Sequence, residues 1–168
     1  MKAITTPQPL ARSRLITYDS SPSPFRAIVN PFVDIVVPVL NEEKILQSSI
    51  ETLDEYMMEN LPYRYQITIA DNGSQDNTLE IANSLAQKYQ SVRVVRLAER
   101  GRGRALKQVW QSSQADILTY MDVDLSTSLD DFLPMIQPLV AGEAGTRLAK
   151  KRLCSNAFVT ENLSAICC

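Results

Sequence analysis

Histidine is absent from this 168-residue chain, and the sequence contains only 5 glycines and 3 cysteines. Without an imidazole there is no Ser-His-Asp triad, no Cys-His pair and no histidine-ligated zinc site. The sequence also lacks any run of about 18 apolar residues, so it predicts no membrane-spanning helix.

The cysteines and the net charge limit which redox compartment and which partners we expect for the protein. Cys154, Cys167 and Cys168 fit no disulfide framework in number or spacing, and we interpret them as free thiols in a reducing compartment. The 17 basic and 19 acidic residues give a formal net charge of -2. Because nucleic-acid binding relies on excess positive charge, we expect no nucleic-acid partner.

Three regions follow from the pattern of residue types along the chain. Residues 1–31 are rich in Ser, Pro and Thr and predict a flexible leader. Residues 32–141 alternate between apolar strand-like and helix-periodic stretches, which indicates one folded domain. The alternation stops near Gly142 without a clear strand beyond it, so residues 142–168 predict an irregular or divergent tail.

The folded region predicts an α/β fold with a mostly parallel sheet and helices on both faces. We expect Pro38 to end the first strand and Asn41 to cap the helix that follows. Polar or glycine-containing loops follow all four strands, and in such sheets ligands bind beyond the carboxyl ends. The predicted strands lie at residues 32–37, 65–70, 92–97 and 117–121.

Two aspartates end the fourth strand. Asp122 and Asp124 are two residues apart, which directs both carboxylates to the same side of a strand. Hard oxygen ligands suit Mg²⁺ or Mn²⁺, which would bridge to phosphate oxygens. The alternative is a turn and helix-capping cluster that includes Ser126 and Ser128.

The loops after the second and third strands each have two interpretations. Asp71 either belongs to a turn in which Gly73 takes a permissive backbone conformation and Asp76 caps a helix, or accepts hydrogen bonds from a base or ribose. Residues 100–104 (RGRGR) combine forked donors with glycines that permit close approach to phosphate. The alternative interpretation is that residues 100–104 form a basic, solvated turn without a ligand.

Four segments together resemble family 2 glycosyltransferases of the GT-A fold, and in particular dolichyl-phosphate and polyprenyl-phosphate sugar synthases. They occur in the family's order and the resemblance spans roughly residues 33–141. The segments are residues 37–42 (VPVLNE), 71–76 (DNGSQD), 100–106 (RGRGRAL) and 121–125 (MDVDL).

The resemblance implies a GT-A-like, Rossmann-like domain that binds a nucleotide-diphospho-sugar donor together with Mg²⁺ or Mn²⁺. It also implies transfer to an acceptor such as a polyprenyl phosphate, with the protein cytoplasmic or peripheral at the cytoplasmic face of a membrane. The catalytic base is not identified. By their matching positions, Pro38, Asn41, Glu42 and Asp71 would line the nucleoside pocket, Asp122 and Asp124 would hold the ion and the diphosphate, and Arg100, Gly101 and Gly103 would lie beside the donor.

Members of the family continue past the paired aspartates with elements that carry the acceptor site, and here only residues 145–149 (GTRLA) faintly match. We therefore expect an incomplete fold in which donor binding is better supported than turnover. Two alternatives remain open. One is a catalytically inactive nucleotide-sugar-binding remnant, and the other is a receiver-like signalling domain, a doubly wound fold that also uses strand-end aspartates.

Overall fold

The computed structural model describes residues 27–97, 102–143 and 157–159. In this part of the chain a five-stranded sheet has the order β3-β2-β1-β4-β5. The first four strands are parallel and β5 is antiparallel to β4, which confirms the predicted mostly parallel sheet. The strands are β1 (Phe32–Val39), β2 (Arg64–Asp71), β3 (Val92–Arg96), β4 (Ile117–Tyr120) and β5 (Ala157–Val159).

Helices cover both faces of the sheet, as predicted. Because strand side chains alternate between faces, β1 directs Val33, Ile35 and Val37 into one core cluster and Val36 into another. Helices α1, α2 and α4 pack in the first cluster, and α3 packs in the second. The helices are α1 (Leu46–Asn60), α2 (Thr78–Lys88), α3 (Arg102–Ser112) and α4 (Phe132–Val140), the last preceded by a 3-10 turn (Leu129–Asp131).

Strand β1 runs through Pro38 to Val39, so the prediction that Pro38 ends it was wrong. The Val36 carbonyl accepts from Met121 on the β4 side, and the Val39 carbonyl accepts from Asn72 on the β2 side. Because backbone groups alternate sides along a strand, Pro38 faces β4, beyond the last pair between these strands at Val36. Proline lacks an N–H, and at this position no ladder bond is lost.

Helix α1 begins at Leu46, so the prediction that Asn41 caps it was also wrong. Asn41 has a φ of 57°, a left-handed conformation that Asn tolerates better than most residues. The chain then turns before the helix, and the Glu42 carbonyl accepts from the N–H groups of Ile45 and Leu46. The intervening residues are thus free to form a loop at the edge of the sheet.

The ends of the domain differ from the predicted boundaries. Residues 1–26 of the predicted leader lie outside the described residues, but the Ile28 N–H donates to the Val140 carbonyl (2.8 Å) and its side chain packs against the core. The ordered domain therefore begins before Phe32. Strand β5 lies within the predicted irregular tail, and its three residues are too few to give a sequence pattern.

Asp34 is a fully buried carboxylate in the middle of β1. One of its oxygens accepts a hydrogen bond from the Thr68 hydroxyl on β2 (2.7 Å), and the other accepts from the Ser113 hydroxyl just after α3. A buried carboxylate persists only when its oxygens are hydrogen-bonded. These bonds therefore tie together two strands and the end of a helix.

We predict that Asp34→Ala lowers the free energy of unfolding by about 3 kcal/mol, because the buried Thr68 hydroxyl and the half-buried Ser113 hydroxyl both lose their acceptor and a cavity remains. Asp34→Asn is the matched control. It keeps the shape and an acceptor oxygen, and we expect it to cost about 1 kcal/mol. Urea unfolding measures both values, and equal losses would contradict the role given to the hydrogen bonds.

Candidate functional site

A cleft opens at the carboxyl edge of the sheet, between the ends of β1 and β4. The chain moves from β1 outward through β2 to β3 and then crosses back to β4 on the other side of β1, and doubly wound sheets bind ligands at this kind of reversal. The cleft has a volume of about 580 Å³. It is lined by Pro38, Val39, Leu40, Glu42, Ile45, Asn72, Asp122, Val123 and Asp124.

The two aspartates after β4 both line the cleft, but they lie in a loop and turn beyond the last strand residue, Tyr120, so the strand spacing does not set their direction. Both side chains are exposed, whereas Val123 between them is buried. The Asp122 carbonyl accepts from the Leu125 N–H (3.1 Å), and the Asp124 side chain accepts from the Ser126 N–H (3.1 Å). A tight turn therefore presents both carboxylates to the cleft.

Leu125 holds that turn in a strained conformation. Its φ is 50°, in the left-handed region that costs a leucine about 1–2 kcal/mol. Its side chain is partly buried and packs against the main hydrophobic core. Core packing thus stabilises a turn that the local sequence would not favour, immediately beside Asp124.

The donor set of the turn fits a hard divalent cation. Carboxylate oxygens are ligands that Mg²⁺ and Mn²⁺ accept, and Mg²⁺ in particular is commonly bound through one or two carboxylates together with phosphates and water. Among the described residues, no group of three or more acidic or thiol side chains converges as a metal site. An ion here would therefore need oxygens from a bound molecule or from water.

Asp71, the last residue of β2, is fully buried. One carboxylate oxygen accepts from the Ser74 N–H (3.1 Å), which is the turn interaction that the sequence suggested, and Gly73 has a φ of 80° as that interpretation requires. The other oxygen has no hydrogen-bond partner in the described part of the chain, and Arg96 Nε lies 3.9 Å from it. An unsatisfied buried oxygen is costly, so it favours a donor from a ligand.

The loop after β1 is held by side chains of the loop after β2. The Asn41 N–H donates to the Ser74 hydroxyl (3.0 Å), and the Asn41 side-chain oxygen accepts from the Gln75 N–H (2.8 Å). Together with the bonds described next, these form what we call the interloop latch, between residues 41–43 and 74–78. Asn41 therefore joins the two loops.

The second half of the interloop latch involves two carboxylates and a hydroxyl. The Glu42 N–H donates to the Thr78 hydroxyl (2.8 Å), and the Glu43 N–H donates to the Asp76 carboxylate (3.3 Å). The Glu43 carboxylate in turn accepts from the Asn77 N–H at the start of α2 (3.0 Å). Two carboxylates thus cap the N–H groups of the opposite loop.

The prediction that Asp76 is the N-cap of α2 was wrong by one residue, because Asn77 occupies that position. Asp76 precedes it and accepts from the N–H and the hydroxyl of Thr78, the first residue of the helix. Desolvation alone would raise the pKa of Asp76. The hydrogen bonds from Thr78 and from the Glu43 N–H outweigh it and hold the pKa below the usual value of 3.8. The carboxylate is therefore charged at neutral pH, and its contribution to the latch is lost only as the pH falls below that value.

The sequence-predicted site residues fall into three groups. One group lines the cleft, a second lies in the loops that support it, and a third is not placed there. The segment predicted as a basic loop, residues 100–104, is helical from Arg102, and Gly103 lies exposed in the first turn of α3. The groups are Pro38, Glu42, Asp122 and Asp124 in the cleft, Asn41 in the supporting loop after β1 with Asp71 at the end of β2 where it bonds to the other supporting loop, and Gly103 in α3, with Arg100 and Gly101 outside the described residues.

Several residues of the site were missed. Thr78 and Glu43 join the loops across more than thirty positions of sequence, and no local pattern signals such a bond. Leu40, Ile45 and Val123 give the cleft an apolar wall. The only available signal was the position of Leu40 beside Asn41 and of Val123 beside Asp122, and Ile45 had none.

A second cleft of about 470 Å³ lies between α1 and α2, away from the strand ends. Its side chains include Glu80, Ser84 and an ion pair between Lys88 and Glu51 (2.9 Å). That pair lowers the pKa of the Glu51 carboxyl. None of the predicted site residues lines this cleft.

The family of this chain follows from a comparison of its sequence with known protein families. The sequence model of "Glycosyl transferase family 2" matches residues 34–156, which include the cleft and most of the sheet. The chain belongs to glycosyl transferase family 2. Its sheet order, 3-2-1-4 for the parallel strands, also differs from the order 2-1-3-4-5 of receiver domains, which argues against the receiver-like alternative.

Two of the similar proteins have names that include a lipid. A dolichyl-phosphate beta-glucosyltransferase of Dictyostelium discoideum is 31% identical over 112 residues, covering 62% of this chain and 34% of that protein. A beta-monoglucosyldiacylglycerol synthase of Trichormus variabilis is 30% identical over 133 residues, covering 76% of this chain and 27% of that protein. This family 2 chain thus spans about a third, or less, of the length of the curated relatives that it matches.

The solved structures confirm the GT-A fold. Glucosyl-3-phosphoglycerate synthase of Mycobacterium tuberculosis, in complex with Mn²⁺, UDP-glucose and phosphoglyceric acid, is 26% identical with a TM-score of 0.54, covering 69% of this chain and 42% of that one. The mannosyltransferase PcManGT of Pyrobaculum calidifontis gives the same TM-score of 0.54 at 20% identity, covering 70% of this chain and 35% of that one. Within its described residues, this family 2 chain has no helix with the length and apolar character to cross a bilayer.

Proposed function

We propose that this chain binds a nucleotide-diphospho-sugar with Mg²⁺ or Mn²⁺, and that it acts in transfer of the sugar to a polyprenyl phosphate. The observation that carries the proposal is the pair of exposed carboxylates, Asp122 and Asp124, at a cleft on the topological reversal of a GT-A sheet. The M. tuberculosis relative, solved with Mn²⁺ and UDP-glucose, supports this choice of donor and ion.

In this proposal the two sides of the cleft have different tasks. Asp122 and Asp124 would hold the ion beside the diphosphate of the donor. When bound, the ion neutralises charge on the departing nucleoside diphosphate. On the opposite side, Glu42 accepts hydrogen bonds from the ribose, and the unsatisfied oxygen of Asp71 accepts from the base. Leu40 and Val123 provide apolar contact for the nucleoside.

The family resemblance assigns the arginine segment after β3 to the proposed donor site. Arg100 and Gly101 would lie beside the donor phosphates, as the family pattern implies. The first turn of α3 follows at once, and the N–H groups at a helix start favour anions. This segment would therefore add positive charge where the aspartates and the diphosphate bring negative charge together.

The acceptor assignment rests on the relatives. The D. discoideum relative is named for dolichyl phosphate, whereas the T. variabilis relative is named for a diacylglycerol product. We favour the phosphate acceptor, because four of the other similar proteins are dolichyl-phosphate glucosyltransferases as well. Such a lipid would bring the protein to a membrane surface, and we propose peripheral association at the cytoplasmic face.

We predict that Asp124→Ala weakens Mn²⁺-dependent binding of UDP or GDP at least about a hundredfold, because the ion loses one of its two protein carboxylates. Glu55→Ala is the matched control, since it removes one exposed negative charge from α1 outside the cleft. Isothermal titration calorimetry with and without Mn²⁺ measures both affinities. Metal-dependent binding that survives in Asp124→Ala would refute the metal assignment.

The transfer step is tested with labelled nucleotide sugars, Mn²⁺ and a polyprenyl phosphate, with diacylglycerol as the competing acceptor. We expect label to enter the polyprenyl-phosphate fraction in the wild type and not in Asp124→Ala. Label in the diacylglycerol fraction alone would overturn the acceptor. Donor binding without transfer to either lipid would favour the alternative of a nucleotide-sugar-binding remnant.

A further inference from the structure

We infer that Thr78 is a positioning residue for nucleoside binding, through the hydrogen bond that fixes Glu42 in the wall of the cleft. This inference rests on the proposed function, because it concerns the nucleoside side of the same site. Thr78 itself does not line the cleft. It is fully buried at the start of α2 and is separated from Glu42 by 36 positions of sequence.

The direction of each hydrogen bond at Thr78 follows from its partners. The hydroxyl oxygen accepts from the Glu42 N–H (2.8 Å), so its own proton is donated to the Asp76 carboxylate, which cannot donate when charged. Asp76 also accepts from the Thr78 N–H (3.0 Å). The hydroxyl is therefore oriented by a charged acceptor, and a charge-assisted bond of this kind is stronger than a neutral one.

Glu42 has fewer hydrogen bonds to the opposite loop than Asn41 and Glu43 have. The consecutive N–H groups of residues 41, 42 and 43 bind side chains of Ser74, Thr78 and Asp76, respectively. Asn41 has a second bond to the opposite loop through its side chain, and Glu43 has one through its carboxylate. For Glu42, the bond to Thr78 is the one link to that loop among the described hydrogen bonds.

Loss of the Thr78 hydroxyl should therefore move Glu42 and its side of the cleft. It should leave the turn at residues 122–125, which carries the two aspartates, in place. The turn is held from elsewhere, by the core packing of Leu125 and by its own hydrogen bonds. A small displacement of Glu42 would reduce affinity for a ligand that contacts both sides of the cleft. It would not reduce affinity for a ligand that contacts the aspartates alone.

The test compares Thr78→Val, which keeps the shape and removes the hydroxyl, with Thr78→Ser, which restores it. With Mn²⁺ present, we expect Thr78→Val to weaken UDP or GDP binding about tenfold and Thr78→Ser to stay within about threefold of wild type. Binding of Mn²⁺ and inorganic pyrophosphate should be unchanged in both. Ser84→Ala, which removes an exposed hydroxyl from the same helix, is the control for a general effect on α2.

Equal losses of nucleotide and pyrophosphate binding in Thr78→Val would show a merely structural role and overturn the inference, as would unchanged nucleotide affinity. Should that variant fail to fold, Asp76→Asn replaces it, because a neutral acceptor orients the hydroxyl less strongly. We then expect weaker nucleotide binding with unchanged pyrophosphate binding, and unchanged nucleotide affinity would overturn the inference. If the wild type binds pyrophosphate but no nucleotide, the proposed donor itself fails, and the inference fails with it.

Discussion

The unequal lengths of the ladders on the two sides of β1 create the site. On the β2 side the pairing continues to Val39 and Asp71, whereas on the β4 side it ends at Val36 and Tyr120. The last residues of β1 therefore project past β4 with one edge unpaired, and the cleft opens along that edge. Pro38 fits there because its missing N–H faces the unpaired side. The same ladder difference lets the chain after β4 turn away and present Asp122 and Asp124.

The two walls of the cleft are stabilised by different forces. Hydrogen bonds of the interloop latch hold the wall that contains Glu42, and they join residues that are far apart in the sequence. Core packing of Leu125 holds the wall that contains the aspartates, against the strain of a left-handed backbone. A change in one wall therefore need not move the other, and the nucleoside and diphosphate parts of a donor can be separated by experiment.

The sequence predicted those features that depend on local pattern. Apolar runs located the four parallel strands, and the acidic residues that follow the fourth run line the cleft. It failed where a distant group decides the outcome. Asn41 looked like a helix cap, but its side chain bonds to Gln75 in another loop. Pro38 was predicted to end the strand, because residues 32–39 alone do not show that the neighbouring strand β4 ends before it.

We propose that a divalent ion and a nucleoside diphosphate bind together at the cleft between β1 and β4. Paramagnetic broadening of backbone amide signals by Mn²⁺, with UDP present and Mg²⁺ as the diamagnetic reference, locates the ion directly. We predict that the signals of residues 122–126 disappear first and those of residues 40–42 next, while Glu80 and Ser84 in the cleft between α1 and α2 keep theirs. Broadening centred on Glu80 and Ser84, or spread evenly over the chain, would contradict it.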